Sequence, residues 1–584
     1  MAWFKGTATD YQDMLDQIKN LVKDDHISAL TIYDGGTGYA VGDTITLAAG
    51  TKYHEPELKV QSISSGDYIT VAAVNAGGTG YAVGDKLYPA SGTYGVTPEL
   101  EVTTESGGVV TGVQINNPGI CSSQPSNPVA TTTDGSGTGC TVDLTFTAGT
   151  GIVTGVHISD SGVYTAQATN PVSQNTSSGS GTGAKFALTY TDTAWVTKVD
   201  FEAQAASGVS ISTAGTGYTA NDIVTVVGGS WMEAATVKIN SVTGGVPTSV
   251  SVNTVGRYKT TPSNPASTSG GTGTGLTLTM TWGAHASQLK YLFIQNSNSN
   301  LNIGWRGAYY AGAEASYWIE CVGFTGFTSE MTPWAEQPGF ANQYYARVPL
   351  SGGASPATIY YWISVSDQRI TGAFKVGTAY PNFYLGLIDP YLTTDEYSHP
   401  MLALGCMTGT QPYTYSGAGY AGMNNPAAFD SSGAAVGPGV LRRPDGTTTA
   451  VVNWYDNNGT PTTDVTHIGI VPGWDNAFPA PTGDGAWYTS SAGRFWPELF
   501  CETLSIASNQ DALGRIGGQY VLIPCSLISE AVGRAYGSLR GVFAMNPDGD
   551  VISEDTITIG TSVYRVFSNC NKSNRNYFFA IKEE

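Results

Sequence analysis

The stretch Gly35-Gly36-Thr37-Gly38-Tyr39-Ala40-Val41-Gly42-Asp43 returns letter for letter at Gly77–Asp85, and a looser copy occupies Ala214–Asp222. Duplication of this kind means that one small unit was copied, so the repeat governs the reading of the residues inside it. A phosphate cradle is the first function such glycines suggest. That cradle needs G-x-G-x-x-G between a strand and a helix whose N-terminus faces the phosphates. Here Gly36, Gly38 and Gly42 are spaced G-x-G-x-x-x-G, and Thr44-Ile45-Thr46-Leu47 alternates as a strand does. The motif therefore reads as a glycine turn, a packed tyrosine and an aspartate that bonds nearby backbone ahead of a strand. Tyr39, Tyr81 and Tyr218 are expected as core or turn-packing residues.

Each opening half has a closing partner of different texture. Gln124-Pro125-Ser126-Asn127-Pro128 precedes Gly135-Ser136-Gly137-Thr138-Gly139 and a strand over Thr141–Phe146. Asn170-Pro171 precedes Gly179-Ser180-Gly181-Thr182-Gly183 and Lys185–Tyr190, and Asn264-Pro265 precedes Gly271–Gly275 and Leu276–Trp282. Two openings come before two closings, and one of each follows, an order that predicts nested or composite modules. Gly107-Gly108 and Gly244-Gly245 supply the positive φ of short hairpins. Leu144 and Phe146, and Leu276, Leu278 and Met280, point one way while threonines point the other. The chain is expected to be mainly β: small barrels or sandwiches over 27–192 and 193–283, with Trp195–Phe201 as the bridge between the two groups.

Composition narrows the function classes. A chain of 584 residues has room for about three or four domains. Charged residues are 12% of it, about half the usual share. The 26 basic and 46 acidic residues give a net charge of -20, which argues against nucleic acid as a partner, since phosphate binding needs clustered Lys and Arg. Seven scattered cysteines without a C-x-x-C indicate neither a zinc site nor a redox pair. They are expected as free, mostly buried thiols. No cofactor is expected. Neither a signal peptide nor a membrane-inserting segment is read in the sequence, so synthesis in a cytoplasm is expected.

Residues 7–25 carry a helical pattern within a 1–26 N-terminal segment. Thr9-Asp10-Tyr11-Gln12 fits a capping box led by Thr9. Tyr11, Met14, Leu15, Ile18, Leu21 and Val22 form one apolar face, which a lone helix must cover with its own domain or with another chain. The first five are the candidate assembly anchor.

After residue 284 the repeats stop, and eight of the 12 tryptophans lie in this half. Leu289–Ile294 opens it as a strand, and a meander of Thr556–Ile559, Val563–Phe567 and Tyr577–Ile581 closes it. Ile528–Ala535 is the best short helical candidate. No H-E-x-x-H, G-x-S-x-G or Walker loop occurs. The carboxylates Asp395, Glu396, Glu498, Glu502, Asp548 and Asp550 are candidates for paired acid–base work, but they read better as solvated turns. Trp454, Tyr455, Trp474 and Trp487 stand among Asn and Asp, a composition suited to sugar faces and hydroxyls, but such rings read better as filling a β-core or a subunit interface.

The segment Phe4-Lys5-Gly6-Thr7-Ala8-Thr9-Asp10-Tyr11-Gln12-Asp13-Met14-Leu15-Asp16 resembles the F-x-G-T-A opening of many tailed-bacteriophage virion proteins. The G-x-G-Y-x-x-G-D modules, and Tyr564–Cys570 followed by Arg575–Ala580, are similar to stretches of the same group. The resemblance implies no catalytic residues. It implies a non-enzymatic virion protein of the tail or baseplate, contacting other virion proteins, homo-oligomeric and by preference trimeric. A head decoration or a neck or collar fibre is the near alternative. A glycan-binding adhesin for host surface polysaccharide, or a depolymerase, are the alternatives of other classes.

Overall fold

The structure, a computed structural model, describes residues 2–390 except 287, 299–300, 311–315, 340–345, 352–357, 376–379 and 381, and beyond them the segments 401–404, 439–442, 448–452, 466–469, 515–516, 518–529, 534–545, 550–568 and 578–583. Among the described residues the protein is mainly β, with 67% strand and 4% helix, one α-helix and several sheets that include a half-barrel. Two compact units form: one from 2–4 and 24–192, the other from 5–23 and 193–584.

The repeats are nested. Tyr39 packs not on the nearest closing glycines but on Gly181, Tyr81 packs on Gly137, and Tyr218 packs on Gly273. The third module shows the simple plan: a sheet of eight strands in which Thr236–Thr243 and Val246–Thr254 are joined by the Gly244-Gly245 turn. In the first module that turn is replaced by the whole of the second module. Two strands of 23 residues, Glu57–Thr79 and Thr138–Asp160, carry the insertion. They pair antiparallel from Asp160↔Glu57 to Thr138↔Thr79. Their outer halves serve the first module and their inner halves the second, so one ladder of up to about 75 Å runs through both.

Each module has its own core. Ile45, Leu47, Leu58, Phe186 and Leu188 fill the first, Leu87, Leu100, Val102, Val142 and Leu144 the second, and Val224, Val237, Ile239, Leu276 and Leu278 the third. The alternation read from the Thr-rich strands is what delivers these residues inward while threonines stay outside.

The three Asn-Pro pairs share one device. All are cis, and each asparagine amide replaces a strand neighbour by donating to and accepting from one backbone residue. Asn127 brackets Leu144 at 2.8 and 2.9 Å, Asn170 brackets Leu188 at 2.8 and 2.8 Å, and Asn264 brackets Met280 at 2.8 and 2.8 Å. Asn264→Ala leaves an N–H and a C=O of the strand without partners, so a loss of about 2 kcal/mol is expected in urea unfolding of the third module. Asn264→Asp, which keeps only the acceptor, is expected to recover part of it.

The N-terminal segment differs from the sequence reading in its first half. Ala2–Ala8 is a strand, and the helix is shorter, Tyr11–Leu21. Asp10, not Thr9, is its N-cap: its carboxylate accepts from the N–H groups of Gln12 at 2.8 Å and Asp13 at 2.9 Å. Asp13 reaches back to the N–H of Thr9 at 2.8 Å, so the box is shifted by one residue and built from two aspartates. A carboxylate also favours the positive end of the helix dipole, which a threonine cannot do. Asp10→Ala is expected to lower stability by about 1 kcal/mol, measured by thermal unfolding.

The helix packs on a five-stranded sheet, Trp195–Glu202, Gln288–Asn296, Asn302–Tyr310, Ser316–Phe324 and Ala346–Ser351 in that order. Gly307 makes room for the Tyr11 ring, which would stand 2.6 Å from a Cβ there. Lys290, almost wholly buried, reaches Asp16 at 2.5 Å. Burial pushes the Asp16 carboxyl up, but the Lys19 and Lys290 ammonium groups outweigh it and hold the group below its ordinary value.

Strand pairing decides two further segments. Trp195–Phe201, which runs between the second and third modules along the chain, belongs to a strand whose backbone pairs with Gln288–Asn296. The described ends of the expected helix over Ile528–Ala535 are strand: Ile523–Ser529 and Arg534–Met545 are neighbouring strands with Ile528 opposite Ala535. A run of eight residues is too short for its periodicity to resist such pairing. The closing meander is Thr556–Ile559, Ser562–Ser568 and Phe578–Lys582. Cys121, Cys140 and Cys321 are buried.

Candidate functional site

The repeated motif resolves into a turn that locks two chain halves. Tyr39, Tyr81 and Tyr218 are 3%, 4% and 3% exposed. The Tyr39 hydroxyl accepts from the Ala184 N–H, and the Tyr81 hydroxyl from that of Cys140, both at 3.3 Å. Burial pushes the Tyr39 phenol up to about 12. The aspartates close the turn: Asp43 accepts from the Ala40 N–H at 3.0 Å, Asp85 from Ala82 at 3.0 Å and Asp222 from Thr219 at 2.9 Å. Asp222 also accepts from the N–H and hydroxyl of Thr272, and with Thr219 these bonds hold its carboxyl well below the usual range. Ring and carboxylate alike are committed to the fold.

A more open feature lies where the third module meets the five-stranded sheet. A cleft of about 670 Å³ is lined by Trp231, Glu233, Arg257, Arg306, Trp334 and Glu336, with Met232 and Tyr291 beneath. Met232 belongs to the aromatic core of the sheet together with Phe201, Phe293 and Phe324, so the floor joins the two parts. Trp334 is pinned: it stands 5.6 Å from Tyr291 and 5.2 Å from Phe324, and its indole occupies the space that a Cβ on Gly304 would need. The Arg306 guanidinium lies 6.0 Å from the Trp334 ring centre, within cation–π range. Arg257 Nη1 donates to Glu233 Oε2. Trp231, by contrast, is 40% exposed.

Strand register shows why this wall is peculiar to the third module. Trp231 lies opposite Tyr258, and Glu233 opposite Arg257. The same places hold Lys52 and His54 opposite Tyr164 and Val163 in the first module, and Tyr94 and Val96 opposite Cys121 and Ile120 in the second. A buried valine or isoleucine has become Arg257, and its partner has become Glu233. Register shifts flank this place in all three modules, so what changes in the third is the side chains and not the backbone pairing.

The sequence-derived candidates fall elsewhere. Tyr11, Met14, Leu15, Ile18 and Leu21 are all buried, and the chain's own strands cover that face. Trp454, Tyr455, Trp474 and Trp487 lie outside the described residues, as do Asp395, Glu396, Glu498, Glu502 and Asp548. Asp550 is exposed. Among the described residues no group of three His, Cys, Asp or Glu side chains is placed to hold a metal ion, and no helix is long and apolar enough to cross a membrane. Trp231, Arg257, Arg306 and Trp334 were not singled out from sequence. The one available signal was Ser230-Trp231-Met232-Glu233, which has a tryptophan where its sister strands have Lys52 and Tyr94; reading it required the register.

No protein-family model matches this chain, and no curated protein sequence matches it.

Proposed function

We propose that the protein is a non-enzymatic structural component of a tailed-phage particle, placed in the tail or baseplate. The observation that carries this reading is the continuous two-strand ladder shared by the nested modules. A ladder without an intervening linker makes a stiff spacer, because bending it would break paired backbone bonds across the whole sheet. The low content of charged side chains suits permanent subunit contacts, which are built like a divided core. The resemblance of the N-terminal segment to virion proteins supports the same reading.

In this arrangement the N-terminal segment contacts other virion proteins through its polar side, since its apolar face is already occupied. The C-terminal half makes subunit or host-surface contacts, and closed symmetry, a trimer by preference, sets the copy number. Mass spectrometry of purified particles tests the reading: the chain is expected among the virion proteins, and its absence from intact particles overturns it. Antibody labelling in electron microscopy separates a tail or baseplate position from a head or neck one.

A further inference from the structure

We propose that the cleft bounded by Trp231, Glu233, Arg257, Arg306, Trp334 and Glu336 binds a neutral saccharide. This does not depend on a place in a particle, because the site is complete within one compact unit. Its volume of about 670 Å³ lies in the range of small-ligand sites.

Three features of the lining select the ligand class. Trp231 offers an indole that is 40% exposed, an apolar plate of the kind that covers the C–H face of a pyranose. Beside it, Glu233 and Arg257 are joined to each other, which presents carboxylate acceptors and guanidinium donors side by side. A sugar hydroxyl both donates and accepts, so adjacent hydroxyls satisfy such a pair where a purely apolar ligand would strand it away from water. Charge decides between neutral and acidic sugars. The arginines Arg257 and Arg306 are matched by the carboxylates Glu233 and Glu336 within the same lining, leaving no surplus positive charge for a carboxylate or phosphate on the ligand.

The site is also preorganised. Trp334 is 6% exposed and held by Tyr291 and Phe324, and Met232 anchors the Trp231 strand from below. Little side-chain ordering remains to oppose binding.

Isothermal titration of the full-length protein with neutral gluco-, manno- and galacto-oligosaccharides, beside uronic-acid oligosaccharides of equal length, tests this. Saturable binding of at least one neutral series is expected, weakened about tenfold or more by Trp231→Ala and weakened also by Glu233→Gln. Trp231 is a surface residue, so its truncation is expected to leave the circular dichroism and the unfolding midpoint unchanged, which separates loss of the site from loss of the fold. Trp454→Ala is the control. The proposal is overturned if no neutral saccharide binds the folded protein, if uronic-acid saccharides bind in preference, or if Trp454→Ala abolishes binding while Trp231→Ala leaves it intact.

Discussion

Gly181→Val is expected to destabilise the first module by about 3 kcal/mol, read as a lower midpoint in urea unfolding of the 24–192 unit. A Cβ at Gly181 would stand 2.1 Å from Cδ1 of Tyr39 and 2.4 Å from two further ring carbons. The ring has no easy retreat, since it is buried and its hydroxyl holds the Ala184 N–H. Moving it would forfeit one of the two acceptors of that amide, the other being Gln174 Oε1 at 3.1 Å, as well as repacking the core. The same clash awaits at Gly137 against Tyr81 and at Gly273 against Tyr218, so Gly137→Val and Gly273→Val are expected to weaken the second and third modules in turn. Gly42 is the contrast. A Cβ there meets nothing within 4 Å, although φ is +97°, so Gly42→Ala is expected to cost only about 1 kcal/mol of backbone strain. Equal losses at Gly42 and Gly181 would show that the closing glycines serve the turn rather than the tyrosine.

The second large effect is a dependence of the 24–192 unit on pH. His26 is 3% exposed, and its Nδ1 has no hydrogen-bond partner among the described residues. The Phe4 ring stands edge-on to it at 6.4 Å. Burial disfavours the imidazolium and pulls the group down to about 4, against about 6.5 in an unfolded chain. Between those values the unfolded chain binds a proton that the folded one refuses. Stability therefore falls as pH drops from about 6.5 toward 4, and is fully present above that window. The expected loss is about 2 kcal/mol between pH 7 and pH 5. Asp34, pushed up by burial, acts in the opposite sense, so the contribution of His26 is best taken as a difference between proteins. His26→Leu keeps a similar apolar volume without a titrating group and is expected to flatten the slope over this window. An unchanged slope in that variant would assign the acid sensitivity to other groups.

Much of the local structure was legible because it rests on short-range chemistry. Strand alternation, hairpin glycines, the asparagine-proline closings and the tyrosine-aspartate turns all follow from steric and hydrogen-bonding needs within a few residues. The order of the copies even pointed to nesting. Helix boundaries were less legible, since Thr9 and Asp10 are both competent caps and only the dipole and the approach of the chain choose between them.

What the amino-acid sequence alone determined is the unit: a glycine turn, a tyrosine that must be buried, and a threonine-faced strand, copied three times. Only the tertiary structure decided which copies close on each other, because the pairing of Tyr39 with Gly181 spans the whole inserted module and leaves no local trace. The same holds for the cleft. Trp231 and Arg257 lie on neighbouring strands of one sheet and Trp334 on a 3-10 turn much further along the chain, and each by itself satisfies an ordinary strand or core pattern. Their common orientation arises from strand register and from the docking of Met232, which are long-range contacts that periodicity does not encode.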